Sequence, residues 1–336
     1  MISNQCSVIS RYKKSVSLIL VLAFVAWGAV YLYQHPENLT ALGNISAGSL
    51  VTLAGLALLK LAAMGTFTWI NLDALGIRLG FGEWYGLAAM TAMGNYLIAF
   101  RGGAAIRGVY LKSRYNFPYS LFLSTVASLY LLTFPTNAFL GLLALAGVYR
   151  WVGISQPALA LFLLACIIGP LGFLILIRWA PRFSGRWASK LNPMIEGWKV
   201  LTAKPATVVK LILASVFNSL VTVLMIHFSF HALGVELPLV QSGVLGILYL
   251  ISAMVPITPA GMGFAEATLV LASGALGLDS TLNILAAGLN RSAMLVVSLL
   301  LGPIFTLILS RRSGKPISVF HLPAMTSEGS EESRGS

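Results

Sequence analysis

Two groups of residues in this chain are placed to do chemistry, and neither is the active centre of a soluble enzyme. In the stretch PITPAGMGFAEA, Pro256 to Ala267, two prolines and two glycines precede a single acid, Glu266. Later, inside the last apolar run, Arg291 stands beside Asn290. A carboxylate and a guanidinium in apolar sequence are costly unless they meet each other or an aqueous cavity. Glu266 and Arg291 are therefore candidates for one buried pair, either lining a functional cavity as a coupling or gating element or serving purely as a structural ion pair. The second group lies in GNYLIAFRGGAAIRG, Gly94 to Gly108, which carries Arg101 and Arg107 and runs on to Lys112 and Arg114 without an acid. The fork of an arginine matches a phosphate with two charge-assisted bonds. The plainer reading of the same arginines is a basic loop on the cytoplasmic face.

These residues need an interrupted scaffold. Pro256 and Pro259 offer no backbone donor and stop a helix. Gly261 and Gly263 permit turns and close contact. A new helix from Phe264 then carries Glu266 in its first turns, where the helix dipole favours a negative charge. Backbone irregularity of this kind survives in a membrane only when buried in protein or lining a cavity. Arg101 and Arg107 are expected to flank a second turn, after the short apolar piece 85–100. Weaker signals are Lys60, deep in an apolar run and expected to face the interior, and Asn218 with Thr222, a polar helix face or helix–helix glue. His227 and His231 have the spacing of metal ligands but lack a third, so no metal site is expected. Walker loops, nucleophile elbows and HExxH motifs are missing from the sequence, and no cofactor is expected.

The composition says which solvent surrounds the scaffold. Hydrophobic residues make up 57% of the 336 positions and charged residues 10%, against roughly 25% charged in a soluble domain. Apolar runs of spanning length recur throughout, so the fold class is all-α, a polytopic transmembrane helical bundle. The net charge of +12 gathers in short segments between those runs, which argues for membrane orientation rather than nucleic acid. The N-terminus, 101–114, 178–204 and 311–315 are expected on the cytoplasmic side of an inner membrane. Residues 16–33 read as a retained signal anchor. Residues 1–315 are expected to form a single transmembrane domain, with 316–336 a disordered cytoplasmic tail. Pro135 is expected to kink or break the run 119–149.

With these sides assigned, 85–107 must enter and leave the membrane from the cytoplasm. Residues 239–278 must enter and leave from outside, as a re-entrant hairpin or as two full spans. Span, broken hairpin, span then occurs twice in opposite orientation, a possible inverted repeat of the kind found in transporters.

P-x-T-P-x-G-x-G-x-x-E at Pro256–Glu266, the arginine of LNRSAML at Arg291 and the Gly94–Gly108 element together resemble the lysylphosphatidylglycerol synthase transmembrane region family, also described as flippase-like. The resemblance spans roughly residues 15–310. Relatives often carry a proline, an arginine and a Gly-Glu pair, then a second arginine. Arg101, Gly102 and Arg107 fit that pattern, while Gly103 or Ala104 stands where the acid would be. The resemblance implies a lipid-translocating module without the synthase catalytic domain. Its partners would be membrane lipids with anionic headgroups, and possibly a lipid-synthesis enzyme. The expected function is translocation or binding of an anionic amphiphilic lipid. The alternatives are a membrane-embedded lipid or glycan transferase, for which Asp73 and Glu83 offer the acids, and a non-catalytic scaffold for a lipid-modifying enzyme.

Overall fold

The computed structural model describes residues 45–97, 102–179, 202–255, 263–278 and 280–313, with isolated positions 43, 192, 195, 196, 198, 199 and 261. The expected first helix, the terminal tail, Arg101, Pro256 and Pro259 lie outside the described residues. Within them the long helices are α1 (Ala47–Ala74), α2 (Phe81–Leu97), α3 (Gly102–Tyr115), α4 (Tyr119–Val152), α5 (Pro157–Trp179), α6 (Pro205–Ala232), α7 (Leu239–Ala253), α8 (Phe264–Ala275) and α9 (Ser280–Ser313). The described residues contain no strand. Five of these helices, α1, α4, α5, α6 and α9, are long and apolar enough to cross a membrane. The protein is a multi-pass, all-α membrane protein.

Local chemistry sets the helix ends. The Ser46 side chain caps α1 by accepting from the Ser49 amide at 3.0 Å, filling one of the orphan donors of a helix start. Proline opens α5 and α6, where its missing N–H costs nothing. Pro135 does not break α4, which runs unbroken for 34 residues. The Thr136 hydroxyl donates to the Leu132 carbonyl at 2.7 Å beside it.

The two halves of the chain are built alike. α1 and α6 have 28 residues each, and α4 and α9 have 34 each. Between each such pair lie two short helices, α2–α3 in the first half and α7–α8 in the second. The turn after α1 reads Ala74-Leu75-Gly76 and the turn after α6 reads Ala232-Leu233-Gly234. Gly76 has φ +88° and Gly234 φ +77°. In both, the amide after the glycine reaches back to a carbonyl near the helix end: Ile77 to Leu72 at 2.8 Å, Val235 to Phe230 at 3.1 Å. This is the Schellman closure, which needs a residue at positive φ. Leu79 and Leu237, each four residues beyond the repeated leucine, are both buried.

Packing follows the same exchange. α9 packs on α2 and α4 packs on α7, so the long helix of each half closes the hairpin of the other. One apolar core joins Leu72, Leu79 and Leu309 to the first hairpin. Its counterpart joins Phe230, Leu237 and Val148 to the second. Each core gathers the C-terminal ends of two long helices around one hairpin. The hairpins consequently lie at opposite ends of the bundle, and the halves form an inverted pair. α5 stands outside this pairing. It packs mainly on α4 and exposes Leu161, Phe162, Ile168 and Leu176, an apolar face suited to lipid.

Candidate functional site: a buried ion pair and a basic cavity

Glu266 is the third residue of α8, after Gly263 at the N-cap. Its Oε2 accepts the Gly263 amide at 2.8 Å, so a backbone donor at the helix start holds the carboxylate in place. Its other oxygen, Oε1, stands 2.5 Å from Arg291 Nη2 on α9. Each residue is only 6% exposed. The contact pairs charge with charge rather than forming a well-aligned hydrogen bond. Truncating one partner of such a buried pair typically costs about 3–5 kcal/mol, because the other charge is left uncompensated.

The surroundings come from both halves. Tyr249 of α7 lies within hydrogen-bonding reach of Arg291 and Asn290. Tyr96, near the end of α2 in the first hairpin, feels the charges of both Glu266 and Arg291. Two hairpins anchored at opposite ends of the bundle thus bring their tips toward one charged pair. The backbone beside it is special too. Gly261 and Gly263 have φ of +70° and +81°, and α7 stops at Ala253 before α8 restarts at Phe264. This is the interruption expected of the motif, although Pro256 and Pro259 themselves fall outside the described residues.

Arg107 is on α3, away from this pair. Its Nη1 donates to the Thr68 hydroxyl of α1 at 2.8 Å, and its guanidinium lies 5.3 Å from the centroid of the Phe122 ring. It borders a cavity of about 130 Å³ walled by α1, α2, α3, α4 and α6. The structure therefore does not place Arg107 beside Glu266 and Arg291, and Arg101 is not described. Lys112 and Arg114 follow on α3, with Arg114 exposed.

Two features were faint or unassigned in the sequence. Lys60, on α1, is 8% exposed. Its ammonium donates to the Asn218 carbonyl of α6 at 3.2 Å and to the Thr222 hydroxyl. The contact ties α1 to α6 through the Asn218 backbone and the Thr222 side chain, the helix–helix role among the two that the sequence left open. The other feature is Glu83, in the first turn of α2. It is buried and accepts hydrogen bonds from the phenols of Tyr110 and Tyr115, the latter at 2.8 Å. Burial, then the hydrogen bond to Glu83, pushes the Tyr115 phenol up to about 12, so Tyr115 stays a donor at neutral pH. Asp73 is exposed, and Glu83 serves as a brace between the two arms of the first hairpin. His231 meets Glu236 at 2.9 Å and His227 meets Ser242 at 3.1 Å, so the two histidines engage different partners.

The model of the family described as lysylphosphatidylglycerol synthase TM region matches residues 15–302. Comparison with curated proteins gives no match.

Proposed function

We propose that this chain, which belongs to the lysylphosphatidylglycerol synthase TM region family, binds an anionic amphiphilic lipid and moves its headgroup across the membrane. The observation that carries this reading is the buried Glu266–Arg291 pair, set at the break of one hairpin with Tyr96 of the opposite hairpin within reach of its field. Ionisable groups are retained inside a membrane where a charged species must be accommodated. Inverted halves with broken helices permit access from either side around a fixed centre.

In this reading an anionic headgroup competes with Glu266 for Arg291. The ion pair opens, and α8, tied to Glu266 through its own N-terminus, shifts with it. Arg107 supplies a phosphate contact at the end of the bundle where the first hairpin is anchored. In this reading that end, and both termini, face the cytoplasm of an inner membrane, as the excess of basic residues there favours. Downhill movement needs no further energy source, and a lipid-synthesis enzyme would be a natural partner in supplying or consuming the lipid.

The test is reconstitution into liposomes containing fluorescent anionic or zwitterionic lipid, followed by a membrane-impermeant quencher. The reading predicts that protein-containing vesicles expose the inner-leaflet anionic label faster than empty ones, and faster than they expose the zwitterionic label. Equal rates with and without protein for every anionic lipid tried would overturn it.

A further inference from the structure

The cavity beside Arg107 has unsatisfied chemistry on the side away from that residue. Thr133 Oγ1 on α4 and Ser215 Oγ on α6, both hydroxyls able to donate, are buried, border the cavity and have no hydrogen-bond partner. Buried polar atoms without partners are few in folded proteins, and a group of them on one wall points to water or a ligand. No acidic side chain lines the cavity among the described residues.

Lys60 stands behind that wall. Its ammonium grips the Asn218 carbonyl and the Thr222 hydroxyl, both neutral, and no carboxylate lies within ion-pair distance of it among the described residues. Asn218, whose carbonyl the ammonium touches, also lines the cavity, as do Ala63 and Met64 one turn along α1. A buried ammonium held only by dipoles is costly. An anion in the adjoining cavity offsets that cost.

We propose that the cavity is a phosphate subsite, in which the anion accepts hydrogen bonds from the Thr133 and Ser215 hydroxyls, meets Arg107 on the opposite wall, and finds its counter-charge in Lys60. The cavity volume, about 130 Å³, has room for a phosphate group, since a single water needs only about 10–15 Å³ on the same measure. This inference rests on the reading that the protein handles an anionic lipid, and it adds the group recognised and the residue that charges the site. The phosphate could be carried by a lipid or be free in solution, and the two sources separate experimentally.

The experiment titrates detergent-purified full-length protein with dihexanoyl phosphatidic acid, with inorganic phosphate and with dihexanoyl glycerol as the phosphate-free control, following the thermal midpoint. Wild type is expected to show saturable stabilisation by phosphatidic acid and none by the diacylglycerol. Lys60→Met is expected to weaken the apparent affinity about tenfold or more, and Ser215→Ala several-fold. Lys60→Arg should retain most of it. Competition by inorganic phosphate assigns the site to phosphate itself, whereas phosphatidic acid binding that phosphate cannot displace assigns it to the lipid-borne group. Absence of saturable binding by either anion, or equal affinities in wild type, Lys60→Met and Ser215→Ala, overturns the proposal. Lipid movement in vesicles alongside such equal affinities would leave the transport reading standing and remove this one. Lys60-dependent binding without any movement would do the reverse.

Discussion

Lys60 donates to the backbone carbonyl of Asn218, and Asn218 is its own counterpart in the second half of the chain. The two residues are 158 positions apart, and the same offset carries Leu75 and Gly76 of the first turn onto Leu233 and Gly234 of the second. α1 and α6 therefore cross where the halves are equivalent, and the crossing holds an ammonium on one side and a carbonyl on the other. The pseudo-symmetry is broken at its centre by one charge.

That relationship predicts an unusual response to substitution. Lys60→Met keeps the length of the side chain and removes the charge from a site with only neutral partners. Its thermal midpoint in detergent should match or exceed that of wild type, by up to about 1–3 kcal/mol, as when buried charges give way to apolar residues. Lys60→Glu, which turns an acid toward the Asn218 carbonyl, should lose most folded protein. A large destabilisation by methionine would mean that the lysine is structural cement.

The offset also joins Gly103 to Gly261. The Gly103 amide donates to Asn95 Oδ1 at 3.1 Å, and a Cβ on Gly103 would lie 1.9 Å from the Thr91 carbonyl oxygen. At Gly261 a Cβ would lie 3.1 Å from the Ala253 Cα, and φ is already +70°. Gly103→Ala should therefore cost at or above the upper end of the ~1–3 kcal/mol seen for overpacked cores, since a backbone oxygen cannot swing aside. Gly55→Ala, on an open face of α1, should instead gain about 0.5–1 kcal/mol. Thermal midpoints of the two variants decide the matter, and similar values would contradict the close approach of α2 and α3.

Much of this plan is legible in the sequence for physical reasons. Two prolines and two glycines crowded just before Glu266 announce a break, where a single proline such as Pro135 does not. The expected sides of the basic segments lead to a chain in which each hairpin returns to the side it enters from. The Glu266–Arg291 contact follows from the cost of leaving either charge alone. Other parts were hidden. The repeated Ala-Leu-Gly turn is three residues long, and the helices around it conserve only apolar character, so the internal likeness drowns in leucine and alanine. The Lys60–Asn218 contact spans 158 residues, and no periodicity encodes it. Pro135 does not break its helix, because packed neighbours and local adjustments of the backbone let a membrane helix carry a single proline.

Glu83 gives a discriminating case. Both phenols end on its Oε1, so Glu83→Gln should lower stability by about 1–3 kcal/mol, the range for a disturbed buried hydrogen-bond acceptor. Tyr115→Phe should lower it by about 1 kcal/mol. Folded Glu83→Gln protein should still move lipid at a rate close to wild type. An enzyme using Glu83 as its base would show the opposite, with stability intact and activity gone.

The central claim is that the Glu266–Arg291 pair opens and closes around an anionic headgroup. It is tested most directly in proteoliposomes holding a fluorescent anionic lipid, with wild type beside Glu266→Gln and the double variant Glu266→Gln/Arg291→Met. The account predicts that wild type exposes nearly all of the label to an external quencher. Both variants should leave about half protected, as expected when only the outer leaflet of a vesicle is accessible. The double variant should recover much of the roughly 3–5 kcal/mol that the single one loses, which shows that folding is not the cause. Full exposure by the double variant, at the wild-type rate, would contradict the account and reduce the pair to a structural tie between α8 and α9.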